Sequence, residues 1–224
     1  MDLKISRDLV FISAAMLIWG LGEGLFIFFY PLSLQHFNAN SVQIGTVLSA
    51  IGVMMALVQV PAGYLSDRVG SRPLIRAAMI LGVFSTLLIA SAKTLPIFTI
   101  GIIAYGATSF IGAPLNSYIT SIRGDWSVQR ALTFVSASVQ VGAILGPILG
   151  GWIGENAGIS AVFFCAAGLF FVSTLIVLLI KDSGRNVEEK NPVTRVNPLT
   201  NPRFLGFMAV TFLTIIALST PQQL

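Results

Sequence analysis

One acidic residue lies well inside a long apolar segment, and it is the first candidate for chemistry in this sequence. Glu23 sits near the middle of the run from Leu9 to Leu34, in the context WGLGEG. A charge at the centre of a bilayer costs about 3 kcal/mol on insertion scales, so such a residue normally faces a cavity or a partner. A carboxyl group there could carry a proton across a membrane or hold a cationic substrate. The structural alternative is a protonated Glu23 that hydrogen-bonds between helices.

Six further side chains are candidates for the lining of a cavity. Helical spacing places three aromatic residues on the face of Glu23, which suits amphipathic, aromatic or cationic ligands. The same stripe is also what ordinary packing produces, because aromatic rings fill the interiors of membrane proteins. Three polar residues repeat at roughly helical spacing on a second apolar segment and offer polar contacts. The six residues are Trp19, Phe26, Tyr30, Tyr105, Ser109 and Asn116.

The composition excludes several classes of protein. Of 224 residues, 55% are hydrophobic and 10% are charged, whereas a soluble domain carries about 25% charged residues, so a soluble enzyme is not expected. The single cysteine, Cys165, has no partner in this sequence for a disulfide. The single histidine, His36, has no neighbouring His or Cys at the spacing of a metal site. We therefore expect no metal and no cofactor. The net charge is +4, but the basic residues are scattered between apolar segments, so no nucleic-acid partner is expected.

Seven apolar segments are long enough to cross a lipid bilayer, which is the expected partner of the whole chain. A hydrocarbon core about 30 Å thick requires about 20 residues of helix. The first segment is too long for the core of a signal peptide and contains Glu23, so we expect it to be retained. Numbered as spans 1 to 7, the predicted helices are Leu9 to Leu34, Val42 to Leu65, Leu74 to Ala92, Pro96 to Ile119, Ala131 to Trp152, Ile159 to Ile180 and Phe204 to Leu218.

The basic residues predict the orientation and the domain boundaries. All of them except Lys93 precede span 1 or lie in or beside the connections between spans 2 and 3, 4 and 5, and 6 and 7; Arg76 falls in the first turn of span 3. Positive charges in short loops stay in the cytoplasm, so we expect a multi-pass protein of the plasma membrane with a cytoplasmic N-terminus. Residues 1–180 then form a six-helix lobe. Residues 181–203, with three Asn-Pro steps, form a cytoplasmic linker, and residues 204–224 hold the seventh span.

The turn between spans 2 and 3 has a recognisable pattern. It reads GYLSDRVGSRP, with glycines that allow a tight turn and an acid that can pair with a cation or cap a helix. This turn resembles the signature loop of the major facilitator superfamily, G-x-L-A-D-R-x-G-R-K/R, although Ser71 departs from it at one basic position. The matching residues include Gly63, Asp67, Arg68, Gly70 and Arg72.

Span 5 carries a second pattern, GAILGPILGG. Glycines four residues apart favour close helix packing, and a proline inside a helix invites a bend. The segment resembles the G-x-x-x-G-P-x-x-G-G motif of the superfamily's proton-coupled drug exporters. In span 4, Ile102 stands where the exporter pattern has an arginine, so the standard arrangement for proton antiport is not complete. The matching residues of span 5 are Gly142, Gly146, Pro147, Gly150 and Gly151.

The resemblance implies a fold and a function. The fold is an all-α integral membrane lobe built from a 3+3 inverted repeat, with spans 1 and 4 lining a cavity and a C-terminal lobe missing from this chain. The function is secondary active transport of small molecules by alternating access, as efflux of amphipathic or drug-like compounds in exchange for protons. One alternative is an uptake symporter or facilitator for a sugar, organic acid or peptide. Another is a half-length membrane scaffold or assembly module.

Overall fold

The computed structural model describes residues 5–180, together with Gly206 and Val210. Six helical segments in this part are long and apolar enough to cross a membrane, and they correspond to predicted spans 1 to 6, whose numbers they keep. The all-α architecture is confirmed. The predicted linker at 181–203 lies outside the described residues, as does the seventh span apart from Gly206 and Val210. The six spans are Arg7–His36, Ser41–Val69, Ser71–Ala90, Leu95–Ile122, Val128–Ala157 and Ile159–Leu179.

Most of the helices extend beyond their predicted ends, because polar residues cap them outside the apolar run. Asn40 and Gln43 form a capping box at the start of span 2, with two reciprocal hydrogen bonds of 2.9 Å. The Ser127 hydroxyl accepts from the Arg130 amide at 3.3 Å and starts span 5. At the other end of span 2, Gly70 has φ of 85°, which lets span 3 begin at the next residue.

Spans 1 and 4 are each interrupted by a short 3₁₀ turn. Span 1 consists of helices Arg7–Phe26 and Tyr30–His36, joined by the turn Ile27–Phe29. Span 4 consists of helices Leu95–Ala107 and Gly112–Ile122, joined by the turn Thr108–Ile111. In each case a proline, Pro31 or Pro114, follows within a few residues. Because proline has no N–H and its ring clashes with the carbonyl four residues earlier, it disrupts the α-helix at that point.

Span 1 packs more extensively against span 5 than any other two described elements pack together. Glycines of both helices meet there. A Cβ added to Gly146 would collide with the backbone of Gly24, and one added to Gly142 would collide with the Leu17 carbonyl oxygen. A Cβ added to Gly150 would likewise collide with the carbonyl oxygen of Leu25. The two backbones are therefore in direct contact, which only residues without side chains permit.

Spans 6, 3, 4 and 2 pack against one another in that order. Span 6 contacts both span 1 and span 3, span 3 contacts span 4, and span 4 contacts span 2. The Ser173 hydroxyl of span 6 donates a 2.6 Å hydrogen bond to the Ala15 carbonyl of span 1. Span 2 is exposed over most of its length, with Val53 and Leu57 about 60% accessible. Span 1 thus packs mainly between spans 5 and 6.

Two substitutions on span 5 test the glycine contact. Gly146→Val should lower the free energy of unfolding by about 3 kcal/mol or more, because the new side chain has no space against span 1. Gly151→Val is the matched control, since nothing lies within 4 Å of a Cβ at that position. Its effect should stay within about 0.5 kcal/mol. Thermal unfolding in detergent micelles measures both, and equal stability of the two variants would contradict the packing described.

Candidate functional site

Four of the six predicted lining residues come together in an aromatic cluster. Trp19, Phe26 and Tyr30 of span 1 meet Tyr105 of span 4. The rings of Trp19 and Tyr105 are nearly parallel with centroids 6.5 Å apart, and Tyr105 meets Phe26 edge-on at 5.2 Å. Phe26 also contacts Tyr30 at 5.4 Å. All four side chains are buried, so in this structure the stripe is packed between helices.

Two rings of span 6, which the sequence did not predict as lining residues, also belong to the cluster. Phe170 stacks on Trp19 with centroids 4.1 Å apart and lies 5.6 Å from Tyr105. Phe163 lies 5.6 Å from Phe26. Span 6 is apolar on every side, so its hydrophobic pattern gives no preferred face. The available signal was a pair of buried hydroxyl residues, Ser173 and Thr174, which lie about one turn beyond Phe170.

Glu23 lies beside two of these aromatic residues and is half-buried. Its carboxyl group interacts electrostatically with the hydroxyls of Tyr105 and Tyr30. Both hydroxyls are buried. The Tyr105 hydroxyl lies within hydrogen-bonding reach of the Glu23 carboxyl, whereas the Tyr30 hydroxyl has no hydrogen-bond partner within the described residues. Buried hydroxyls are normally hydrogen-bonded. Each phenol O–H can therefore serve as a donor to the Glu23 carboxylate or to a bound molecule.

The other two predicted lining residues lie outside the cluster. The Ser109 hydroxyl donates a long 3.4 Å hydrogen bond to the Met55 carbonyl of span 2. Asn116 is exposed, and its backbone carbonyl accepts from the Thr120 hydroxyl at 2.8 Å. The 3₁₀ turn Thr108–Ile111 explains the difference, because it changes the helical phase between Tyr105 and the residues that follow.

The signature loop joins span 2 to span 3 and contacts the end of span 4. The Arg72 guanidinium lies 5.2 Å from the centroid of the Tyr118 ring, near the end of span 4. Arg68 lies 4.4 Å from the ring of Tyr64 on its own helix. Asp67 is exposed, and no described atom is within 4 Å of a Cβ at Gly63. The loop therefore contacts span 4 through Arg72 rather than through its glycine.

A family model supplies the decisive comparison. The model of the Major Facilitator Superfamily matches residues 12–223. The chain belongs to the major facilitator superfamily. The resemblance found in the turn after span 2 and in span 5 is therefore confirmed, and the chain is identified with a family of transporters rather than of enzymes. In the described residues, no three His, Cys, Asp or Glu side chains are grouped as metal ligands.

Relatives within the superfamily include drug-resistance proteins. The chain is 32% identical over 193 residues to the class G tetracycline resistance protein of Vibrio anguillarum, covering 82% of this chain and 48% of that protein. It is 27% identical over 212 residues to the class C tetracycline resistance protein of Escherichia coli, covering 93% and 53%. Multidrug resistance protein 1 of Bacillus subtilis is 26% identical over 171 residues, covering 76% and 44%.

A solved structure supports the superfamily fold. The human organic anion transporter MFSD10 (TETRAN) superposes with a TM-score of 0.66 at 23% identity. The superposition covers 79% of this chain and 43% of the human protein. The chain therefore spans about half the length of the relatives it matches.

Neighbouring phenylalanines of span 6 test the aromatic cluster. Phe170→Ala should cost about 3 kcal/mol of stability, because a fully buried ring is lost and a cavity is left. The emission of Trp19 should also change, because that ring loses its stacking partner. Phe171→Ala is the matched control, since Phe171 is 54% exposed, and its effect should be within about 0.5 kcal/mol. Thermal unfolding and fluorescence spectra measure both; a Phe171 effect as large as the Phe170 effect would refute the cluster.

Proposed function

We propose that this chain forms one lobe of a proton-coupled transporter that exports amphipathic or drug-like compounds by alternating access. The observation that carries the proposal is a single carboxyl, Glu23, placed among aromatic rings in the interior of a membrane-spanning lobe. The named relatives are tetracycline and multidrug resistance proteins, which supports efflux as the direction. Acidic residues inside membrane spans mark proton relays and substrate pathways by default.

The surroundings of Glu23 suit a flat, partly apolar substrate. Trp19, Tyr105 and Phe170 present nearly parallel ring faces, which can exchange their contacts with one another for contacts with an aromatic ligand. An ionised Glu23 adds an attraction for a positive charge, and the rings attract a cation through their faces. The two phenol hydroxyls add directional hydrogen bonds, which fix the orientation of a ligand. Together these groups favour amphipathic compounds with a planar ring system.

Proton coupling follows because a proton and a cationic substrate compete for the carboxylate of Glu23. The ionised carboxylate can accept from the hydroxyls of Tyr30 and Tyr105, and these hydrogen bonds offset part of its cost in the membrane interior. When the carboxyl is protonated, those donors are released and the attraction for a cationic substrate is lost. Proton binding from one side of the membrane would then displace the substrate on that side. The proton and the substrate would therefore be exchanged across the membrane.

Ile102 departs from the exporter pattern, and this departure leaves more of the proposed proton coupling to Glu23. Ile102 is fully buried in span 4, one helical turn before Tyr105, and it supplies no charge where the exporter pattern has an arginine. Within the six described spans, the remaining acids lie at the ends of helices, as Asp67 and Glu155 do. A proton that crosses the membrane interior of this lobe therefore has Glu23 as its carrier.

A change of one atom in the Glu23 side chain tests the coupling. In vesicles with an imposed pH gradient, Glu23→Gln should abolish gradient-driven flux, because the amide cannot exchange a proton at neutral pH. Tyr105→Phe should lower flux about tenfold, the effect expected when one hydrogen bond to a charged group is lost. Glu155→Gln is the control, since Glu155 is exposed at the end of span 5. Normal flux in Glu23→Gln would exclude this mechanism.

The proposal also requires a second lobe. We propose that residues 181–203 link this lobe to a C-terminal one that begins with the span at 204–224, since the cavity of such transporters lies between two lobes. Intact mass of the gene product extracted from membranes tests this, because two lobes require about twice the 23.9 kDa of this chain. A mass that matches this chain would instead favour the scaffold or assembly function.

The orientation of the lobe can be measured with one cysteine at a time. We propose that the protein lies in the plasma membrane with a cytoplasmic N-terminus. In a Cys165→Ser background, an impermeant maleimide added to intact cells should label Lys93→Cys but leave Asp125→Cys unlabelled, because these residues lie in loops on opposite sides. Cys165 is the natural cysteine of the chain and is exposed, so its removal is required. The reverse labelling would show the opposite orientation.

A further inference from the structure

An open groove of about 480 Å³ lies at the start of span 5, outside the aromatic cluster. It occupies the face of span 5 opposite the glycines that contact span 1. Its polar side chains lie near the end of the helix, and its apolar side chains extend about two turns toward the middle of the membrane. The groove is lined by Trp126, Gln129, Arg130, Thr133, Phe134 and Ala137.

The mouth of the groove is positively charged and organised around one tryptophan. The Arg130 guanidinium lies 4.3 Å from the centroid of the Trp126 ring. The Arg123 guanidinium donates a 3.1 Å hydrogen bond to the Trp126 carbonyl. Within the described residues, no acidic side chain lies within 4.0 Å of either guanidinium. The Nε1–H group of Trp126 is buried and has no hydrogen-bond partner in that part of the chain.

The depth of the groove is apolar. Phe134 meets the Trp126 ring edge-on at 5.5 Å and is 38% exposed. From Arg130 to Ala137 the helix rises about 10 Å, which is the distance from the headgroup region into the hydrocarbon core. Tryptophan and arginine at this level are typical of the membrane interface, where an apolar body and a polar tip lie in different layers.

We propose that this groove binds an anionic phospholipid, with the phosphate held by Arg123 and Arg130 and an acyl chain lying against Phe134 and Ala137. Charge complementarity favours this occupant, because two guanidinium groups that have no acidic partner among the described residues lie near a boundary where lipid phosphates are concentrated. A zwitterionic lipid has the same chain but lacks the net charge, so it should bind more weakly.

Brominated lipids provide the test, since bromine on an acyl chain quenches a tryptophan that it touches. The protein from the complete gene is reconstituted in phosphatidylcholine vesicles with increasing fractions of brominated phosphatidylglycerol or brominated phosphatidylcholine. A Trp152→Phe background removes the exposed tryptophan at the other end of span 5. Adding Trp126→Phe to that background leaves the signal of the remaining tryptophans, buried Trp19 among them, and the difference between the two variants is the signal of Trp126.

The phosphatidylglycerol should associate with the Trp126 site about fivefold more strongly than phosphatidylcholine, the factor expected for one well-placed arginine. The double variant Arg123→Gln/Arg130→Gln should bind both lipids equally, whereas Arg130→Lys should keep most of the preference because the charge remains. Arg7→Gln is the matched control, because Arg7 also lies beside an aromatic ring, 5.2 Å from Phe11, but outside the groove. It should leave the preference unchanged.

Three outcomes would overturn the proposal. Equal quenching by both lipids would show that the arginines do not select a headgroup. Absence of quenching by either lipid would show that protein covers the groove. Full recovery of fluorescence on adding excess inorganic phosphate would show that a free anion, rather than a lipid, occupies the arginines.

Discussion

Direct backbone contact between spans 1 and 5 is the constraint on which the rest of the lobe depends. Five glycines form this contact, two on span 1 and three on span 5, and each excludes a side chain by its surroundings. Because the two helices are fixed at short distance, the opposite side of span 1 is turned toward spans 4 and 6. Glu23 and its aromatic neighbours lie on that side. The glycines therefore position the candidate site without contributing an atom to it.

The cluster around Glu23 combines two roles that are usually separate. Its rings are the largest buried side chains at the junction of spans 1, 4 and 6, so they hold the lobe together. The same rings carry the functional groups that the proposed transport requires. Any ligand that enters must replace ring contacts that stabilise the lobe, so binding and helix rearrangement are coupled by the packing itself.

The sequence predicted the parts of the structure that depend on local geometry. Span positions follow from the length of apolar runs, and Trp19 and Phe26 share a face because they share a helix. Phe170 could not be assigned, because Phe170 and Phe171 are adjacent in a span with no polar face, yet one is fully buried and the other is 54% exposed. Asn116 follows the 3₁₀ turn at Thr108–Ile111, which shifts the helical phase, so a regular spacing from Tyr105 does not give its position relative to the cluster. Contacts between spans, and breaks within them, were the information that a single sequence lacks.

The two proline-linked breaks have a consequence for how the site can move. The break in span 1 begins at Ile27, between Glu23 and Tyr30, while the break in span 4 begins just after Tyr105. Tyr30 is thus carried by the short segment beyond the first break, whereas Glu23, Trp19 and Tyr105 belong to the long segments. Tilting that short segment would withdraw one phenol from the carboxylate and leave the stack of Trp19 on Phe170 intact. The lobe could in this way change the number of donors around Glu23 without unpacking the rings that hold it together.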